Sequence, residues 1–372
     1  MPNQKILTLH GAATGTPPTS FNPRHLLRYR LLAAAFFFTT APAYAQHGID
    51  TADINPQGAA CTDFFDYANG AWRASHQIPD YMDRWSKRWE SGEINKEHVR
   101  DILTDLSAKS DWKAGSPEQL SGDFYAACMD EKQIDASGIQ PVQPYLDDVR
   151  AIKTKADIDR MIGRLHDVGV AVPFGLFGQE DLHDPTQIVA NIVAGGLGMP
   201  DRDYYLKPEQ RFVDARARYH EHVAKMFELA GAKAAVAKQN ADTVFAFEKR
   251  LAEASLDNVA LRDPKQQDHK MAFADLAKSA PDFGWAAYFD AAKIPHGDLN
   301  VTEPKFVAEV DKELKATPIA QWKTYLEWHV LNAAANALSK TFVDEAFAFN
   351  KTLTGVKEQK PRWKRCAEAA DN

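Results

Sequence analysis

The stretch PEQRFVDARARYHEHVAKMFELA, residues 208–230, decides the fold class. Its apolar members Phe212, Ala215, Tyr219, Val223, Met226, Phe227 and Ala230 recur at three- and four-residue spacing, the period of one buried helical stripe. Pro208 suits a first turn and Gly231 the position just past the last one. The same spacing runs on through Val244, Phe247, Leu251 and Ala254. Thr302 can cap a further helix with Pro304 early in it and Phe306, Val307, Val310 and Leu314 on its stripe. Thr317-Pro318 opens another, with Ile319, Trp322, Leu326, Val330 and Ala333 facing inward, and helical character continues to Leu353 before Gly355 ends it. Upstream, residues 94–106 and 158–168 read as helices. The exception is residues 170–177 and 188–194, two short β-rich runs separated by Asp184-Pro185, which read as paired strands. The expected fold is mainly α, a large multi-helix lobe with a small β-hairpin.

Composition limits what such a lobe can do. The chain has 372 residues, 45% hydrophobic and 26% charged, enough for a sizeable core and inconsistent with a disordered polypeptide. Its 3 cysteines exclude a disulfide-scaffold miniprotein. The formal charge is −7, yet residues 1–45 carry Lys5, Arg24, Arg28 and Arg30 with no acid, leaving −11 for the remainder. A nucleic-acid binder usually shows the opposite sign, so no nucleic-acid partner is expected.

The basic start has its own logic. His25-Leu26-Leu27-Arg28-Tyr29-Arg30 forms a basic flank, Leu31 to Phe38 an unbroken apolar run, and Ala43-Tyr44-Ala45 a small-x-small cleavage pattern. Residues 1–45 are therefore expected to be a signal peptide, 46–60 a linker and 61–372 the domain proper. The mature chain should begin near Gln46 and be exported, to the periplasm or the extracellular space. No later stretch approaches the roughly 20 apolar residues that a membrane span requires, so no transmembrane segment is expected after cleavage.

The residues themselves display no active site. In His220-Glu221-His222 the second histidine lies about 200° round a helix from the first, and Ala224 occupies the i+4 position where a second zinc ligand would stand. His220 is expected on the solvated face and His222 at the edge of the apolar stripe. Glu180, Asp181, His183 and Asp184 cluster between the two strands and read as a solvated turn, with nothing to fix the geometry of metal ligands. Gly195-Gly196-Leu197-Gly198 lacks the Lys-Ser/Thr of a phosphate-binding loop, and no serine elbow or Cys-x-x-Cys is present.

Three longer segments are more specific. They are Ala60-Cys61-Thr62-Asp63-Phe64-Phe65-Asp66-Tyr67-Ala68-Asn69-Gly70-Ala71-Trp72 with Ile78-Pro79, then Gly196-Leu197-Gly198-Met199-Pro200-Asp201-Arg202-Asp203-Tyr204-Tyr205-Leu206, and Pro361-Arg362-Trp363-Lys364-Arg365-Cys366. Together they resemble the signatures of the neprilysin-type zinc metalloendopeptidases, a family that includes bacterial oligopeptidase O. Residues 124–130 and 322–328 fit as well, and the resemblance covers about residues 55–367. It departs at Asp268-His269, where the family usually has Tyr-Asn.

This resemblance implies the N-terminal half of a two-lobed, gluzincin-type metallopeptidase, in which a helical lobe covers a thermolysin-like catalytic lobe and limits entry to peptides. In that family a His-Glu-x-x-His helix and a downstream Glu hold zinc, all beyond the Arg-Trp-Lys-Arg-Cys segment, six residues from the end of this sequence. The expectation is thus zinc in the complete enzyme and none bound by these residues, no catalytic residue among them, and the C-terminal catalytic domain and peptide substrates as partners. The resemblance also implies that Arg84, counted from Cys61, holds the carboxylate end of bound peptides; the alternative is a surface arginine among Arg84, Lys87 and Arg88. It implies a Cys128–Cys366 disulfide, with Cys61 left over. Other readings of the whole are a periplasmic peptide-binding or interaction module without chemistry, and a gene remnant without function.

Overall fold

The computed structural model describes residues 50–170 and 172–371. The signal peptide expected over residues 1–45, and its cleavage near Gln46, lie outside the described residues. The chain divides into two units, one ending at His76 and the other running from Gln77.

The described part of the first unit is built on helix α1 (Phe64–Ser75). Asp63 caps it by accepting from the Asp66 N–H at 2.9 Å, satisfying one of the free amides of the first turn. Asn55 donates to Asp66 at 2.9 Å and Trp72 stacks on His76, while Cys61 is exposed.

The second unit begins with α2 (Lys87–Ser107), α3 (Pro117–Met129), α4 (Glu131–Ser137), α5 (Gln143–Ala151) and α6 (Lys155–Asp167). Strands β1 (Phe174–Glu180) and β2 (Ile188–Ala194) follow, then α7 (Asp203–Leu206), α8 (Gln210–Leu229) and α9 (Ala234–Ala254). Next come β3 (Lys270–Met271), α10 (Phe273–Ser279), α11 (Trp285–Ala291), β4 (Leu299–Val301), α12 (Pro304–Ala316), α13 (Ile319–Ala334), α14 (Lys340–Thr354) and α15 (Arg362–Asp371). The fold is mainly α, as the periodicity requires.

The expected hairpin is present, with Phe174 opposite Ala194 and Glu180 opposite Ile188. It is half of a four-stranded sheet ordered β1-β2-β4-β3, with β2 and β4 parallel. The added strands are two and three residues long, too short for an alternating pattern to reveal. The first strand starts at Phe174 rather than Val170, since Pro173 has no N–H for the ladder.

Two details of the helices differ from expectation. Thr302 does not cap α12; its hydroxyl donates to the Ile192 carbonyl at 3.1 Å and ties β2 to the next segment. Ala333 is exposed, because α13 buries two faces, carrying Tyr325, Trp328 and His329 inward as well as Trp322, Leu326 and Val330. A helix buried almost all round has no single stripe for periodicity to find.

The main core gathers α5, α6, the sheet, and α8 through α14 around Phe174, Tyr219, Phe247, Trp285, Trp322 and Trp328. A second, smaller core of Leu103, Tyr125, Cys366 and Ala367 joins α2, α3 and α15.

Candidate functional site

The glycine-rich segment between β2 and α7 is a packing device. Tyr205 accepts from the N–H groups of Gly198 (3.1 Å) and Met199 (3.0 Å), and donates to the wholly buried carboxyl of Glu248 at 2.7 Å. Tyr219 donates to the same Oε2 at 2.7 Å, and Trp328 donates from its indole to Oε1 at 3.1 Å; His329 Nε2 lies 3.0 Å from Oε1. Burial and the adjoining Glu248 charge raise both tyrosine pKa values well above the ordinary range, so both stay protonated as donors. Tyr325 donates to the Gly196 carbonyl at 2.8 Å. Gly196 sits at φ +65, and a Cβ there would meet the Tyr325 hydroxyl. The segment thus fastens strand to helices, and the N–H groups of Gly198 and Met199 are committed to Tyr205.

The two histidines of α8 cannot share an ion. His222 is buried, with Nδ1 3.0 Å from Glu345 and its ring stacked on Phe349. His220 is half-buried rather than solvated; its ring lies 4.6 Å from Phe245, and burial lowers its pKa. Asp181 is not in an open turn either: Lys270 pairs with it and the His183 N–H donates to it. His183 itself reaches Asp268, at the departure from the family pattern. Among the described residues no group of three or more His, Cys, Asp or Glu could hold a metal ion. A zinc centre does not fit these donors.

Four of the five side chains of Arg362–Cys366 are anchored inside the chain. Arg362 donates to the Cys128 carbonyl at 2.7 Å, Arg100 lies over the Trp363 ring at 4.7 Å, and a disulfide joins Cys366 to Cys128. Lys364 is buried and bonded to Glu93, which also takes Lys96 at 2.6 Å. Burial pushes the Glu93 carboxyl upward, but those two lysines outweigh it and hold it below its ordinary value.

Between this anchor, α14 and the irregular segment before α2 lies a cleft of about 560 Å³. The Asp80 carbonyl accepts from the N–H groups of Lys357 (2.8 Å) and Glu358 (3.0 Å), which fixes one wall. Tyr81, Trp89, Phe347, Asn350, Arg365 and Glu368 contribute to the lining. Aromatic surface, amides and charged groups thus meet in one cleft.

Arg84 adjoins this cleft in sequence but does not line it. Its guanidinium is largely exposed and bonded to its neighbour, Nη2 to Asp83 Oδ2 at 2.8 Å. That hydrogen bond holds the Asp83 carboxyl below its usual range. Arg365 has the opposite surroundings. Its Nε is buried with no acceptor, and among the described residues no ion pair engages the guanidinium. Burial, and Arg362 beside it, lower its pKa from the ordinary value, and the charges of Glu131 and Asp344 offset this only in part. Sequence reasoning had only the motif to go on, and a motif does not say which of its five side chains lacks a partner.

Comparison with known proteins follows the same lines. A sequence profile of peptidase family M13 matches residues 60–372. Endothelin-converting enzyme 1 of Cavia porcellus is 24% identical over 338 residues, covering 86% of this chain and 43% of the relative. Endothelin-converting enzyme-like 1 of Mus musculus is also 24% identical, over 86% of this chain and 42% of its own length. The inhibitor complex of the zinc metalloprotease Zmp1 from Mycobacterium tuberculosis superposes with a TM-score of 0.82 at 27% identity, covering 87% of this chain and 50% of Zmp1. PepO from Lactobacillus rhamnosis shares the fold, with a TM-score of 0.71 at 19% identity over 84% of this chain and 50% of PepO. The chain spans about half the length of the relatives it matches.

Proposed function

The chain belongs to peptidase family M13, and from that premise we propose that residues 61–372 form the N-terminal, substrate-enclosing lobe of an exported zinc metalloendopeptidase that degrades peptides. The observation that carries the reading is the family match over 60–372, joined to coverage of only about half of the relatives' length. In this reading the lobe encloses and selects peptides, and zinc with its ligands comes from residues outside these. There the metal would polarise the scissile carbonyl and activate a water. Peptides are the substrates, and a C-terminal catalytic domain is the partner of this lobe.

Export is supported by the order of basic flank, apolar run and Ala-x-Ala pattern in residues 1–45. The Cys128–Cys366 disulfide agrees with an oxidising compartment, periplasmic or extracellular. No helix among the described residues is long and apolar enough to cross a membrane.

Peptidase assays test the proposal. These 372 residues with added zinc should turn over no peptide, whereas a protein joining them to a His-Glu-x-x-His half should cleave peptides and be stopped by a chelator. Chelator-sensitive turnover by the 372 residues alone overturns it.

A further inference from the structure

Of the five side chains from Arg362 to Cys366, four are engaged inside the chain and Arg365 is not. A guanidinium nitrogen withdrawn from water without an acceptor is unfavourable until an acceptor arrives. Two acids, Glu131 and Asp344, lie close enough to act on its charge, but neither bonds to it: Glu131 reaches Arg362 at 3.6 Å and Asp344 is paired with Lys340 at 2.5 Å. Of the cleft's own acids, Glu368 is paired with Lys360 at 2.8 Å and Lys96 at 2.6 Å, Asp83 is held by Arg84, and Glu358 is solvent-exposed. Tyr81, Trp89 and Phe347 supply apolar wall beside it, and Asn336 and Asn350 supply amides of the kind that bond a peptide backbone.

We propose that this cleft is a peptide subsite in which Arg365 receives a carboxylate of the bound peptide. Guanidinium suits that ligand because its planar fork presents two parallel N–H donors to the two carboxylate oxygens. The carboxylate comes from a peptide C-terminus or from an Asp or Glu side chain. The inference rests on the reading of this chain as a peptide-enclosing lobe, but needs neither zinc nor cleavage.

Direct binding to the 372-residue chain tests it, using acetyl-Phe-Leu, its C-terminal amide, and acetyl-Phe-Glu amide in calorimetric titrations. At least one of the two carboxylates should bind ten-fold or more tightly than the neutral amide, and whichever does so identifies the source. Arg365→Gln should erase that preference, while Arg365→Lys should retain part of it through the charge. The comparison of acid with amide is made on the unaltered chain, so a variant that fails to fold does not remove the test. Equal affinities, or no binding of any probe, overturn the subsite while leaving the peptidase assignment intact. A preference that survives Arg365→Gln and vanishes in Arg84→Gln makes Arg84 the anchor and also overturns it. The thermal midpoint of Arg365→Gln should not fall, since no internal partner is lost; a purely structural arginine would lower it.

Discussion

Gly198 and Tyr219 are packed so closely that a Cβ on the glycine would lie 1.9 Å from the tyrosine hydroxyl. The glycine is therefore required by a neighbour some twenty residues away in sequence, and the reason for that neighbour is Glu248. Gly198→Ala should lower stability by about 1–3 kcal/mol through overpacking, read as a lower urea midpoint at unchanged slope. Tyr219→Phe relieves nothing at the glycine and removes a buried donor to Glu248, so it should cost about 1–3 kcal/mol as well. An alanine variant as stable as the parent would show that the hydroxyl can move aside.

The disulfide closes a sequence separation of 238 residues and ties α15 to α3. In the chain-entropy account a loop of this size stabilises by about 5 kcal/mol. Reduction, or Cys128→Ser with Cys366→Ser, should loosen α2, α3 and α15 before the main core, because their shared core has only four fully buried members. Hydrogen exchange in these helices reads the effect. Thiol titration of unfolded, unreduced protein should find one thiol, that of Cys61.

Two buried groups set opposing pH trends. Desolvation raises the Asp159 carboxyl to about 6, against 3.8 in an unfolded chain, so the native state binds the extra proton and stability falls as pH rises from about 4 to 6. His166 is driven the other way, to about 4, by burial between Tyr288 and Val172. Its unfolded form takes the proton first, so stability falls as pH drops from 6.5 to 4. Asp159→Asn keeps an acceptor for the Gly284 N–H, now 3.1 Å away, and removes the contribution of Asp159 to the first trend. The variant should gain on the order of 1–2 kcal/mol at pH 7 and lose the Asp159 share of the decline between about pH 4 and 6. Parallel pH–stability curves for parent and variant would contradict this.

The helices around the smaller core expose large apolar side chains, among them Ile94, Ile102, Leu120 and Phe124, the last three at 59%, 60% and 46%. Apolar side chains left in water on two packed helices offer binding area to an apolar probe. The folded chain should bind a hydrophobic dye, and Ile102→Lys with Phe124→Lys should reduce the signal severalfold without lowering the thermal midpoint. Dye binding unchanged by these substitutions would place the exposed surface elsewhere.

Much of this was legible in the residues. Helices α8, α9 and α12 and the β1–β2 pair follow from periodicity because each buries one stripe or one face against a single side. Helix α13 was legible as a helix but not in its packing, since burial on two sides leaves no polar face to mark which residues point inward. The glycines of the 195–198 run were visible as unusual, yet their purpose depends on Tyr219, Tyr325 and Glu248, which come from three different helices or loops. The cleft was not legible at all: its lining is drawn from residues near 81–89, 336–350 and 354–369, and no local pattern connects them.

By itself the sequence determined the helical class, the hairpin, the likeness to a peptidase family and the odd cysteine, since each is written in neighbouring residues through spacing, turn chemistry or a contiguous signature. Only the tertiary structure decided which charges find partners. Arg84 and Arg365 are the same residue type in two motifs of one chain, yet one is neutralised by the aspartate beside it and the other faces a cleft without an acceptor. Burial and pairing are properties of distance in space, and the chain fixes that distance only by folding.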